Sequence, residues 1–110
     1  MNKIKKPIIP CFYPDPSICR VGEDYYICCS SFELCPGLPV FHSKDLANWE
    51  QICYAMTMEN GLHVEPNVYC GGVMAPTLRY YKGIFYIINC NFADEGNFMI
   101  TAKDPAGPWS

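Results

Sequence analysis

Apolar residues fall along this chain in short runs, each closed by glycine, proline, asparagine or aspartate. No stretch sustains a 3.6-residue apolar period, so the pattern predicts strands and leaves helix marginal. Ile18 to Val21 reads as a first strand, followed by Gly22-Glu23-Asp24, which has the chemistry of a hairpin turn. Tyr25 to Ser31 reads as a second strand and Leu38 to His42, after the Pro36-Gly37 break, as a third. Trp49 to Tyr54 closes the set after a polar turn running from Ser43 to Asn48. Thr77 to Tyr81, Ile84 to Asn89 and Phe98 to Ala102 then repeat the arrangement. Between the two groups, Met56 to Gly72 reads as a long loop rich in Gly, Asn and Pro.

The two groups are copies of one another. Pro16-Ser17-Ile18 matches Pro76-Thr77-Leu78, and Tyr25-Tyr26-Ile27 matches Phe85-Tyr86-Ile87 at the same offset of 60 residues. Ser31-Phe32 matches Asn91-Phe92. Lys44, Asp45 and Trp49 match Lys103, Asp104 and Trp109 once a single residue is inserted. Fixed-period similarity of this length is the mark of a repeat architecture. Repeated four-stranded units point to the blades of a β-propeller. A β-sandwich would also have closely spaced strands, but not a repeat of this length with an aromatic signature. The expected fold is therefore all-β: an incomplete β-propeller, with blade one over about 15–55 and blade two over about 75–110. Such a pair of blades exposes apolar sheet faces and unpaired edges, so it is expected to need further blades or self-association.

Composition narrows the classes. Half of the 110 residues are apolar and 15% are aromatic, which suits a packed β protein and excludes intrinsic disorder. Net charge is −3, and the one basic cluster, Lys3, Lys5 and Lys6, is too short for a nucleic-acid footprint. No run reaches the roughly 18 apolar residues of a membrane helix. The segment after Lys6 carries prolines in place of an apolar signal region, so a cytoplasmic location is expected. There the eight cysteines stay reduced. None forms a C-x2-C pair, and His42 and His63 stand at no ligand spacing from them, so no metal or other cofactor is expected. Most of these cysteines read as small buried hydrophobes, with Cys28 and Cys29 pointing to opposite faces of one strand.

The chemistry gathers at Pro14-Asp15-Pro16. Two prolines fix neighbouring φ angles, and the second is expected to hold Asp15 extended. A carboxylate on stiff backbone, just before the innermost strand of a blade, suits a general base that aims one water at one carbon. An aspartate in such a segment also caps turns, and that is the more ordinary use of it. The matching position in the second copy is Ala75, however, so the repeat does not need an acid there to fold. Glu33, the nearest local carboxylate, reads as structural and Glu65 as solvated; Asp45 and Asp104 read as turn residues, Trp49 and Trp109 as blade core.

Several ordered segments resemble glycoside hydrolase family 43, most closely its β-xylosidase branch. They are Ile9 to Ile18, Tyr25-Tyr26, Ser30-Ser31-Phe32-Glu33, Pro36 to Leu46 followed by Asn48-Trp49, and Gly71 to Arg79. The resemblance covers essentially the whole chain as the N-terminal part of such an enzyme. It implies a five-bladed propeller and hydrolysis with inversion, with the general base at Asp15. It places Phe32 and Met74-Ala75 on the wall of the sugar pocket. Arg79 follows them and could bond either substrate or a neighbouring blade. Two positions depart from the family's pattern: Cys11 stands where glycine is common, and Met74 where an aromatic is frequent. The general acid and an orienting aspartate are expected beyond Ser110. The function expected is release of xylose from xylo-oligosaccharides. An α-L-arabinofuranosidase of the same family, a non-catalytic carbohydrate-binding module and an inactive truncated product stand as alternatives. The 110-residue chain alone is expected to be inactive.

Overall fold

A computed structural model describes residues 6–94 and 96–110. Lys3 and Lys5 lie outside the described residues. Among the described residues, seven strands form two antiparallel sheets. The first holds β1 (Ser17–Val21), β2 (Asp24–Cys28), β3 (Gly37–Ser43) and β4 (Glu50–Met56) in sequence order. The second holds β5 (Thr77–Tyr81), β6 (Ile84–Asn91) and β7 (Gly96–Ala102). One short 3-10 turn, Met58–Asn60, follows β4. The strands agree with the expected ones to within a few residues. The β1–β2 hairpin is tight because Val21 pairs with Asp24 and Gly22 takes φ +62°, which glycine reaches without a Cβ clash.

One expected strand is shorter than its apolar run. Tyr25 to Ser31 was expected throughout, but β2 ends at Cys28. Cys29 N still bonds Pro39 O of β3 at 3.1 Å, but from there the backbone is claimed by other partners: Ser30 N bonds Pro14 O at 3.0 Å and Phe32 N bonds Val73 O at 2.9 Å. Tertiary hydrogen bonds thus peel the strand from the sheet.

A single core lies between the sheets. Cys28, Val40 and Ala55 from the first meet Leu78, Phe85, Ile87, Ile100 and Ala102 from the second, with Trp109 closing it. Tyr26 sets its ring edge-on to Phe85 at 5.1 Å. Each fully buried Leu or Ile here contributes about 1.5–3 kcal/mol by leaving water. The first strands of the two sheets, β1 and β5, lie side by side, and Ser17 Oγ accepts the Leu78 amide at 2.9 Å. The outer face of the first sheet carries a smaller cluster, Ile27, Cys29 and Phe41, packed by Ile9, Tyr13 and Trp49. Cys28 and Cys29 therefore do serve opposite faces. As a group the cysteines are less hidden than expected: only Cys28 and Cys29 are fully buried, and Cys11 and Cys35 are exposed. Burial pushes the thiols of Cys19 and Cys29 up to about 11, which keeps them protonated at neutral pH.

The repeat is visible in hydrogen bonds. Trp49 Nε1 donates to Leu46 O at 3.0 Å, and Trp109 Nε1 donates to Pro105 O at 3.3 Å. Asp45 accepts the amides of Ala47 and Asn48, as Asp104 accepts that of Ala106. At the edge of the second sheet, Thr101 and Ser110 exchange both backbone bonds, at 2.8 and 3.0 Å. That pairing matches His42 with Glu50 in the first sheet, where it opens β4.

Candidate active site

Pro14 and Asp15 precede β1 and lie against the end of β2. The join is made by Ser30, which is 1% exposed. Its amide donates to Pro14 O, and its hydroxyl donates to Asp15 Oδ2 at 2.7 Å. Asp15 itself is exposed, so one carboxylate oxygen is tethered while the group faces solvent. The expected extended conformation of Asp15 is corrected by its φ of +53°. The tether overrides the local preference before proline, and aspartate tolerates the left-handed region better than most residues.

Phe32 is half-buried with φ +50°, its ring 6.0 Å from that of Phe12. Its backbone exchanges two bonds with Val73, and Val73 bridges Asn91 in turn. This stitch passes from the end of the first sheet to the end of β6. It needs Gly72: a Cβ there would sit 1.9 Å from Phe32 O. Met74 is half-buried, and its backbone is clamped at both ends by one side chain. Asn89 Oδ1 accepts the Met74 amide at 2.9 Å while Asn89 Nδ2 donates to Met74 O at 2.7 Å. Ala75 is exposed beside it. Arg79 is exposed on β5 and turns its guanidinium onto Leu78 O at 2.7 Å. The carboxylate of Glu33, expected to make structural hydrogen bonds, makes none with a described residue.

Asp15 and Phe32 are thus joined through the segment 30–32, and Phe32 and Met74 through the segment 72–74. Arg79 is held apart on its own strand. Two sizeable cavities lie elsewhere. One of about 460 Å3 sits between the 3-10 turn and β7, and one of about 410 Å3 lies under Pro7 to Tyr13. Neither is lined by Asp15, Phe32, Met74, Ala75 or Arg79. Sequence reasoning missed Ser30, Gly72 and Asn89. Asn89 had a signal, since a polar residue interrupts an apolar strand there, and buried amides need partners.

Away from this region, Asp24 accepts from His42 Nε2 at 2.6 Å and Lys44 Nζ at 3.0 Å. Those hydrogen bonds, His42's first, hold the Asp24 carboxyl below its usual range. No group of three metal-ligating side chains occurs among the described residues.

Comparison with known proteins bears on the whole arrangement. A xylosidase/arabinosidase of Butyrivibrio fibrisolvens is 54% identical over 104 residues, covering 94% of this chain and 20% of its own length. A non-reducing end α-L-arabinofuranosidase of Bacteroides ovatus is 52% identical over 110 residues, 96% of this chain and 21% of its own. The crystal structure of a xylan β-1,4-xylosidase from Bacillus halodurans superposes with a TM-score of 0.87 at 41% identity. It covers 98% of this chain and 22% of that one. The chain spans about a fifth of the length of the curated relatives it matches. Its two sheets are part of a propeller, five-bladed in those neighbours. The family model for glycosyl hydrolases family 43 matches residues 4–110, and the chain belongs to that family.

Proposed function

We propose that the protein bearing this chain is an inverting glycoside hydrolase that releases xylose from xylo-oligosaccharides, with Asp15 as its general base. The observation that carries this reading is the exposed Asp15 carboxylate, tethered through one oxygen by a buried hydroxyl on a Pro-Asp-Pro backbone. That arrangement restricts where the carboxylate can aim, which is what a base needs in order to orient one water.

In the reaction the water oxygen bonds to the anomeric carbon as its proton passes to Asp15. The glycosidic carbon–oxygen bond breaks, its electron pair leaves with the aglycone oxygen, and a second carboxylic acid protonates that oxygen. The two carboxyl groups must stand about 6.5–9.5 Å apart to admit the water. The acid is assigned to a part of the protein beyond Ser110. Phe32 and Met74-Ala75 form the pocket wall, with Met74 giving a polarizable contact to a sugar face. Arg79 is a further candidate contact.

Replacing Asp15 with Asn in the full-length protein tests the reading. Asparagine tolerates the same left-handed φ and keeps an oxygen for Ser30, so the fold is expected to stand. Turnover of a xyloside should fall roughly 10²–10⁴-fold. Turnover at the wild-type rate would remove Asp15 from the role. An α-L-arabinofuranosidase is the second reading, favoured by the name of the Bacteroides ovatus relative. Rates on aryl β-xyloside and aryl α-arabinofuranoside separate the two, and comparable rates would place it with the Butyrivibrio xylosidase/arabinosidase.

A further inference from the structure

Ser30 carries one hydroxyl proton and faces two acceptors. Asp15 Oδ2 lies at 2.7 Å and Pro14 O at 3.3 Å. A hydroxyl can donate once, and the shorter bond to an ionised carboxylate is the stronger. Ser30 is 1% exposed, so water does not compete for that proton. The Ser30 amide meanwhile holds Pro14 O at 3.0 Å. Two bonds from one residue thus fix both the backbone and the carboxylate of the Pro14-Asp15 unit. Asp15 needs this, because φ +53° is not where a residue before proline settles unaided.

We propose that Ser30 is the positioning residue of the base: by occupying Oδ2 it leaves Oδ1 as the oxygen that takes the proton of the attacking water. This rests on Asp15 being the base. Ser30 touches neither water nor sugar and acts only through Asp15. A carboxylate free to rotate would present either oxygen, and the water would lose its single line of approach to the anomeric carbon. The Asp15→Asn replacement fits the same geometry. Ser30 can donate to the amide oxygen, which turns the NH2 toward the water site and removes the proton acceptor there alone.

The test is a set of variants in the full-length protein, assayed on an aryl β-xyloside. Ser30→Ala is expected to lower kcat about 10- to 100-fold, the range for a lost hydrogen bond to a charged group, with KM changed less than about twofold. The double variant Ser30→Ala/Asp15→Asn should keep the residual rate of Asp15→Asn alone, since a residue acting through the base has nothing left to act on. If Ser30→Ala lowers that residual rate by the same factor as it lowers the wild-type rate, its effect is structural and the proposal is overturned. Wild-type kcat in Ser30→Ala overturns it as well. Should Ser30→Ala fail to fold, Ser30→Cys keeps the shape with a weak donor, and a fall in kcat is expected where wild-type kcat would overturn the proposal. Wild-type turnover in Asp15→Asn would instead remove the base assignment itself. An inactive Asp15→Asn beside a fully active Ser30→Ala would remove only the role of Ser30.

Discussion

Several residues around the candidate site are held by backbone contacts that leave no room for a larger neighbour. Gly72 is the sharpest case. Its Cα lies so close to the Phe32 carbonyl that any side chain must push the two segments apart. Because the obstacle is backbone, no rotamer change relieves it. Gly72→Ala is therefore expected to cost about 3 kcal/mol of stability through overpacking, read as a fall in Tm. Phe32 pairs with Val73 across this contact, so with Phe32 as the proposed pocket wall, KM for a xyloside should rise in any variant that still folds. An unchanged Tm would show that the Phe32–Val73 stitch is not rigid. Ser30 and Asn89 work at the same scale, each satisfying groups on a segment remote in sequence. Asn89 is 3% exposed, so its amide would cost stability if left unpaired.

At the scale of elements, the first sheet has a polar lock where β2 begins and β3 ends. Asp24 binds both His42 and Lys44, and Tyr26 stacks on His42 with ring centres 5.2 Å apart. The Asp24 carboxyl sits below its ordinary value of 3.8 because these donors favour its ionised form. A depressed carboxyl contributes stability above its unfolded-state value and loses it as pH falls through the folded one. The Tm difference between wild type and Asp24→Asn should accordingly shrink as the pH falls below about 4. A difference that stays constant down to pH 2 would mean that the lock is not electrostatic. Between the sheets, the elements are joined by packing more than by polar bonds, although Asn60 Nδ2 reaches Ala55 O at 2.9 Å and Trp109 O at 3.3 Å. That side chain ties the end of β4 to the last residues of the second unit.

At the scale of the molecule, the shared core closes only one face of each sheet. The outer face of the second sheet shows Ile88 at 51% and Met99 at 56% exposure, paired across β6 and β7, and Tyr81 is exposed farther along it, opposite Ile84. Thr101 and Ser110 already form the first rung at the open edge of β7. An apolar face beside an unpaired edge is an association site. The isolated 110-residue chain is expected to sediment as oligomers or aggregates, and glutamate at both Ile88 and Met99 should reduce this. A monodisperse wild-type monomer would show that the face is tolerated in water. The open site fits the same picture, because Asp15, Phe32 and Met74 line neither of the two sizeable cavities and a sugar would need walls from elsewhere.

Strand positions, the sixty-residue repeat and the propeller class were all legible in the sequence, because apolar alternation and turn residues act locally and the repeat states them twice. Asp15 stood out as a candidate for a related reason: two flanking prolines and the mismatched Ala75 set it apart from its counterpart in the repeat. The conformation of Asp15 was not legible. Its following proline argues for an extended backbone, and a bond from Ser30, fifteen residues away, reverses that preference. The early end of β2 and the need for glycine at position 72 have the same origin. Each depends on which distant carbonyl or hydroxyl arrives when the sheets close on their core, and no local pattern encodes that meeting.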